Sequence, residues 1–376
     1  MEVHEHPATS SILQRALKSA LPYSINLVYR TQHPNQSEHA HILSTIPGSA
    51  TAVPKCWAAA YIDRSTRPGT ELWLFAAGED PNHTPGQPGN SSEQTTTVSE
   101  QVGTSSTSGI SPTELCPQCK LATLSLLDHM STLPLPPLHP DELPSLDLAK
   151  QHEKAHPESG PGVVYALSPG TYMRHLLWPG VVTLGACHHL LVSLCREAGI
   201  LREEFPGANA LLNKFLFRIE DLPPVKELPE GLRWGELRPR DLPTVQARTS
   251  IPRATRTLLS LKSKGVFEAA TDRAVAWTFL GLDGSLTTLH TEPEWRGKGI
   301  ARSVAASIIG ECAPGLAVDE QGTAWSHADV YVGNVQSEKV CHGLGGRAMW
   351  QHYWVRVDLS KAGALVKASR DRDGVQ

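Results

Sequence analysis

The chain has 376 residues, a formal charge of −4, 17 histidines and seven cysteines. That length allows about two domains, and the charge excludes a global basic field that would hold nucleic acid. No apolar run reaches the roughly 18 residues a membrane span needs, so no membrane partner is expected either. Along the chain, Glu2 and Glu5 precede any apolar stretch, which argues against a signal peptide. The seven scattered cysteines fit a reducing compartment better than a disulfide framework, so the expected location is cytoplasmic. Apolar positions 12, 13, 16, 17 and 21 recur at helical spacing behind a serine N-cap and predict a helix over 10–21. The runs 23–30, 41–46, 56–62 and 71–77 read as short strands. Residues 78–112 have almost no apolar side chains to offset the entropy of ordering, which predicts a disordered surface insertion.

A helix is expected over 113–130, and inside it stands Cys116-Pro117-Gln118-Cys119. A structural zinc site wants four ligands. There is no second C-x-x-C, and His129 and the Cys187-His188-His189 run stand at no familiar spacing. The pair is therefore read as two thiols about one turn apart on a helix, and no metal is expected. The Pro-rich stretch 131–162 is expected to be extended with one short helical turn. Residues 162–168 read as a strand, 187–201 as a helix stopped near Gly199, and 213–220 as a strand. Residues 1–222 thus make one mixed α/β module.

The segment 220–231 has the composition of a boundary, and a second domain is expected over 230–360, with a disordered tail at 361–376. It opens with a strand at 231–237 and two short helices at 239–250 and 251–264. Strands follow at 265–270, 274–280 and 285–291, the last two joined by Asp283-Gly284, a hairpin signal. Pro293–Ala301 (PEWRGKGIA) then sets two glycines and two cations between a strand and a helix at 300–312. A strand at 327–332, a helix at 337–344 and a long strand at 347–359 complete the order. Gly-rich strand-to-helix turns recur in phosphate-binding proteins. The nucleotide loop G-x-x-x-x-G-K-[ST] is nevertheless missing, and 297–302 reads G-K-G-I-A-R, which is not the dinucleotide fingerprint.

Arg296-x-x-Gly299-x-Ala301 matches the [QR]-x-x-G-x-[GA] acyl-CoA loop of the GCN5-related N-acetyltransferase superfamily, and Asn334, Ser337, Leu344 and Gly345 resemble its N-x-x-S helix followed by L-G. The resemblance covers roughly residues 230–360 and is strongest to the glycine N-acyltransferase-like, or FR47-like, branch. It implies an α/β (α+β) fold whose C-terminal half is a mixed, mostly antiparallel sheet flanked by helices, preceded by a module that is a degenerate copy. It implies an acyl-CoA-dependent N-acyltransferase, most simply moving acetyl from acetyl-CoA to a small-molecule or peptide amine by direct attack. The alternative is a non-catalytic CoA-binding or scaffold protein on the same fold.

The residue types suit that task. A helix N-terminus offers unpaired N–H groups and the positive end of its dipole to a pyrophosphate. Gly297 and Gly299 let the backbone approach it, and Arg296 and Lys298 add positive charge. By the family pattern, Gly297, Lys298, Gly299, Ile300, Ala301 and Arg302 grip the phosphates. Leu289 and Thr291 pair with the pantetheine arm, where a backbone N–H polarises the thioester carbonyl. Asn334 and Ser337 complete the cofactor set. A base must take the amine's proton; His290 and Asp329 are the candidates, with His327 beside the latter. Asp283, Glu292 and Glu294 read as turn chemistry or solvated carboxylates. Where the family carries a thiolate-protonating Tyr, four residues after Ser337, this chain has Cys341, a weak donor with an ordinary pKa of about 8.5; Tyr331 or His342 could stand in. Arg248 or Arg253 could select an acidic acceptor, although a solvated helical surface is the plainer reading.

Overall fold

The computed structural model describes residues 1–85, 114–157, 168–202, 210–249, 253–313 and 315–363. The first half runs β1 (His4–Glu5), α1 (Ser11–Ser19), α2 (Ile25–Gln32), β2 (Ala40–Ser44), β3 (Ala58–Asp63), β4 (Leu72–Ala76), α3 (Pro117–Ser131), α4 (Leu143–Ala155), α5 (Pro169–Met173), β5 (Val181–His188), α6 (His189–Glu197) and β6 (Leu212–Arg218). The second runs β7 (Leu232–Gly235), α7 (Leu242–Ala247), α8 (Thr255–Ser260), β8 (Lys262–Glu268), β9 (Ala274–Leu280), β10 (Ser285–Thr291), α9 (Ile300–Cys312), β11 (Trp325–Tyr331), α10 (Val335–Gly343) and β12 (Arg347–Asp358). Apart from α4 and α5, the two halves repeat one order of elements.

All the strands join one mixed sheet, ordered β1-β2-β3-β4-β5-β12-β6-β11-β10-β9-β8-β7. The order is a palindrome of the repeat with the last strands exchanged. β12 pairs with β5 of the first half, and β6 pairs with β11 of the second. The ladder is antiparallel except at β4–β5 and β10–β11, one parallel pair in each half.

Side chains explain the assembly. α9 lays Val304, Ala305, Ile308 and Ile309 against the sheet. At the seam, Asn26 and Trp73 of the first half donate to the buried carboxylate of Asp283 at 2.9 and 3.3 Å. The Tyr29 ring lies against Gly284, where a Cβ would fall 2.3 Å from it. Gly284 also has φ +80°, as the β9–β10 turn requires.

Several expected elements are corrected. Residues 25–30 are helical, not a strand, and belong to α2, six of whose eight residues are buried; Tyr23 and Ser24 lie in the turn before it. The stretch 131–162 contains the 13-residue α4; Pro144 lies in its first turn, where proline is tolerated. Cys187 and His188 end β5, which was not anticipated, and the helix starts at His189. Residues 262–264 belong to β8 rather than to a helix. Gly78 and Glu79, placed in the insertion, are buried in a single 3-10 turn. Positions 86–112 of that insertion, 162–167 of the expected strand and 364–376 of the tail lie outside the described residues.

Candidate active site

β10 is bent where the second half opens. Thr287 pairs with Phe279 and His290 with Trp277, three steps on β10 against two on β9, and Thr288 takes φ +55°. This is a β-bulge, which leaves one residue unpaired and turns the strand. On its other side β10 meets β11 only at Ser285–His327 and Leu286–Ala328. Beyond Leu286 the two strands part, so the bulged segment borders a V-shaped cleft.

The loop after β10 stands at that cleft. Arg296, Gly297 and Lys298 are exposed. Gly297 has φ +76° and Gly299 +80°; a Cβ would meet nothing within 4 Å at Gly297 and only the Lys226 side chain, at 4.0 Å, at Gly299. The helix ladder starts with Ser303 N–H donating to the Gly299 carbonyl at 3.2 Å, so the amides of Ile300, Ala301 and Arg302 precede it. Arg296 Nε donates to the Thr291 carbonyl at 2.9 Å, tying the loop to the strand end. The Lys298 ammonium sits 4.2 Å over the Trp295 ring. Lys226, in the inter-module segment, was missed; nothing in its spacing pointed to the loop.

His290 faces this same region. Its ring stacks on the fully buried Trp277 with centroids 4.7 Å apart. Its Nε2 lies 3.5 Å from Glu292 Oε2, and Glu292 in turn accepts from Arg248 Nε at 3.0 Å. Burial holds the imidazole below its ordinary pKa, while Glu292 pulls the other way. A neutral imidazole, close to a carboxylate, results. Glu292 is itself buried, so reading it as a solvated carboxylate is corrected. Arg253 Nη2 donates to Thr287 Oγ1 at 3.0 Å, so both arginines face β10 rather than a plain helical surface. Tyr331 is 40% exposed, and burial together with neighbouring Tyr172 of α5 raises its pKa.

The remaining expected residues lie elsewhere. Asp329 is buried and paired with Lys214 at 2.5 Å, and it lies 3.2 Å from Nε2 of His352, an imidazole that burial holds well below its ordinary pKa; His327 Nδ1 is 3.1 Å from the same Lys214. Cys341 is 3% exposed, and burial pushes its thiol up to about 12. His342 Nδ1 turns to the Gly346 carbonyl at 3.3 Å. Asn334 is exposed at the N-cap of α10, its Oδ1 accepting from Ser337 N–H at 3.2 Å. Asp283 accepts from Ser285 Oγ at 2.7 Å as turn chemistry predicts, and Glu294 pairs with Arg273 at 2.9 Å.

The first half has the matching opening between β4 and β5, which pair only at Leu72–Leu184. Trp73 and Phe75 of β4 line it together with Trp350 of β12, whose ring lies 4.8 Å from that of Tyr23. Further off, the Cys116–Cys119 pair meets Cys56 and His83 in one cluster. The expectation that the pair lacks further ligands is corrected: the other two come from segments remote in sequence.

Residues 1–217 match the family model described as the acyl-CoA N-acyltransferase verG N-terminal domain, and residues 263–355 match that of FR47-like proteins. No curated protein sequence matches the chain. Among solved structures, a Drosophila protein aligns over 94% of this chain and 98% of its own, at 11% identity and a TM-score of 0.53, a likeness of fold. A tandem GNAT protein from the clavulanic acid biosynthesis pathway aligns over 95% and 98% at 10% identity, with a TM-score of 0.42. A GCN5-related N-acetyltransferase from Kribbella flavida aligns over 53% and 79% at 13% identity, with a TM-score of 0.33.

Proposed function

The chain belongs to the acyl-CoA N-acyltransferases of the GCN5-related type, and from that premise we propose that its C-terminal half transfers acetyl from acetyl-CoA to a small-molecule or peptide amine. The observation that carries this reading is the junction of a bulged strand, a parting parallel pair and a helix whose first amides precede its ladder. The pyrophosphate lies against the amides of Gly297–Arg302, where two glycines keep side chains out of the way. Arg296, Lys298 and Lys226 supply positive charge. The pantetheine arm runs beside Leu289 and Thr291, and a backbone N–H of the bulge polarises the thioester carbonyl. Asn334 and Ser337 flank the arm from the start of α10.

His290 takes the attacking amine's proton. The C–S bond breaks as the C–N bond forms, and the departing thiolate takes up a proton. Asp329 is no base in this scheme, because its carboxylate is committed to Lys214. Cys341 is no donor in this scheme, because its thiol is buried at 3% exposure, whereas Tyr331 is 40% exposed. Tyr331, exposed near Arg253, fits that duty better than His342. A cytoplasmic location belongs to the same proposal, on the strength of seven scattered cysteines; separately, no described helix is long and apolar enough to cross a membrane.

Calorimetry with CoA tests the donor site. Wild-type chain binds and Gly299→Glu does not, because an anion and a Cβ then occupy the phosphate position at positive φ. Equal affinity in the two would overturn the assignment. The second reading, a CoA-binding protein without turnover, is favoured by the burial of Cys341 where the family has its tyrosine. Acetyl-CoA turnover across a library of amines separates the two: amide formation supports the enzyme, and binding without product supports the alternative.

A further inference from the structure

We propose that Cys56, His83, Cys116 and Cys119 bind one zinc ion, in a closed structural site that pins the first half across the segment 84–115. The four ligand atoms lie within 4.8 Å of one another. Cys56 Sγ is 3.6 Å from both His83 Nε2 and Cys116 Sγ. His83 Nε2 is 3.6 Å from Cys116 Sγ and 3.7 Å from Cys119 Sγ. A tetrahedral zinc with Zn–S of about 2.3 Å and Zn–N of about 2.0–2.1 Å has ligand-to-ligand edges of roughly 3.5–3.8 Å. These four edges of the cluster therefore have the length of edges in a coordination shell.

Three pieces of backbone bring the ligands together. Cys56 lies two residues before β3, and His83 ends a turn after β4. That turn is held by His83 N–H donating to the Asp80 carbonyl at 2.9 Å and Asn82 N–H to the Asp80 carboxylate at 2.8 Å. Cys116 is the N-cap of α3 and Cys119 is in its first turn, behind Pro117. The 15-residue α3 directs its positive end at the thiolates, which favours the charged form a metal requires. Gly78 packs beside them: a Cβ there would lie 3.0 Å from the Leu115 side chain and 3.4 Å from Cys119 Sγ. Three thiolates and an imidazole form a soft set that suits zinc and not magnesium or calcium. Four protein ligands leave no position open for catalysis.

The position in the repeat gives the site its meaning. α3 follows β4 as α9 follows β10. At the start of α9 the chain offers glycines and unladdered amides; at the start of α3 it offers metal ligands. The first half thus holds a metal where the second holds the anion site, and the metal closes the long excursion between His83 and Cys116.

Elemental analysis of the full chain, purified without chelator, tests this. One zinc per chain is expected, lost in a Cys116→Ser, Cys119→Ser double variant and kept in Cys312→Ser, whose thiol lies outside the cluster. Because the double variant could fail to fold, the reduced wild-type chain is also stripped and titrated with cobalt(II). Thiolate-to-cobalt charge-transfer bands with tetrahedral d–d absorption, bleached by added zinc, are the expected signature. Cobalt titration without charge transfer, or zinc content unchanged in a folded double variant, overturns the site.

Discussion

At the scale of single residues, His290 and Glu292 make the sharpest case. The bare strand pattern put His290 beside the thioester but left Glu292 as a solvated carboxylate. The structure buries Glu292 between His290 and Arg248, 3.5 Å from the imidazole, whose ring stacks on Trp277. Replacing His290 with Gln is expected to lower kcat by about 10²–10⁴-fold, with the affinity for CoA unchanged in calorimetry. Burial already lowers the His290 pKa, so the acid limb of kcat/KM should fall below the ordinary histidine value. Glu292→Gln removes the charge that favours imidazolium and should shift that limb further to acid. A shift toward alkali in the pH–rate profile would contradict the assignment.

At the scale of elements, the β9–β10 hairpin joins the two halves as well as framing the cleft. Gly284 meets two demands, a positive φ and the Tyr29 ring against its α-carbon. Gly284→Ala should destabilise by about 2–3 kcal/mol or more, since dihedral strain and overpacking act together. Gly322, at φ +86° with nothing within 4 Å, carries only the first demand, and its alanine variant should cost about 1 kcal/mol. Urea melts of the two variants compare them; equal losses would remove the packing part of the argument. The hairpin was readable in advance because Asp-Gly between alternating runs is a local signal. So was the glycine turn at 296–301, whose backbone form follows from consecutive residues. α2 was not, because its eight residues are too few, and too rich in strand-forming Ile, Val and Tyr, to separate a helix from a strand by pattern alone. Neither was the cysteine cluster, since Cys56 and His83 reach Cys116 only once β3 and β4 have paired.

At the scale of the whole molecule, the seam carries buried ionisable groups. His327 is held down to about 4 and His188 to about 3, mainly by burial, and His352 also lies well below its ordinary value. An unfolded histidine titrates near about 6.5, so between that pH and the folded values the unfolded chain binds more protons. Stability is therefore full above about pH 6.5 and declines on acidification. For His327 alone the loss at pH 5 is on the order of 2 kcal/mol. Asp283, lowered to about 2, adds its own loss only below the usual carboxylate range. Thermal melts at pH 7, 6 and 5 should show a falling Tm, and a flat profile would mean these imidazoles reach solvent.

The crossed-over terminal strands carry a consequence for biosynthesis. β5 is complete once His188 has been made, yet its neighbour in the sheet begins at Arg347. On the ribosome the leading half therefore waits with an open hydrogen-bonding edge until almost all of the trailing half has emerged. Long-range closure of this kind is slow and exposes strand edges to wrong partners. Nascent chains of this protein should accordingly call on chaperones, and translation pauses within the trailing half should reduce the soluble yield more than pauses before residue 181.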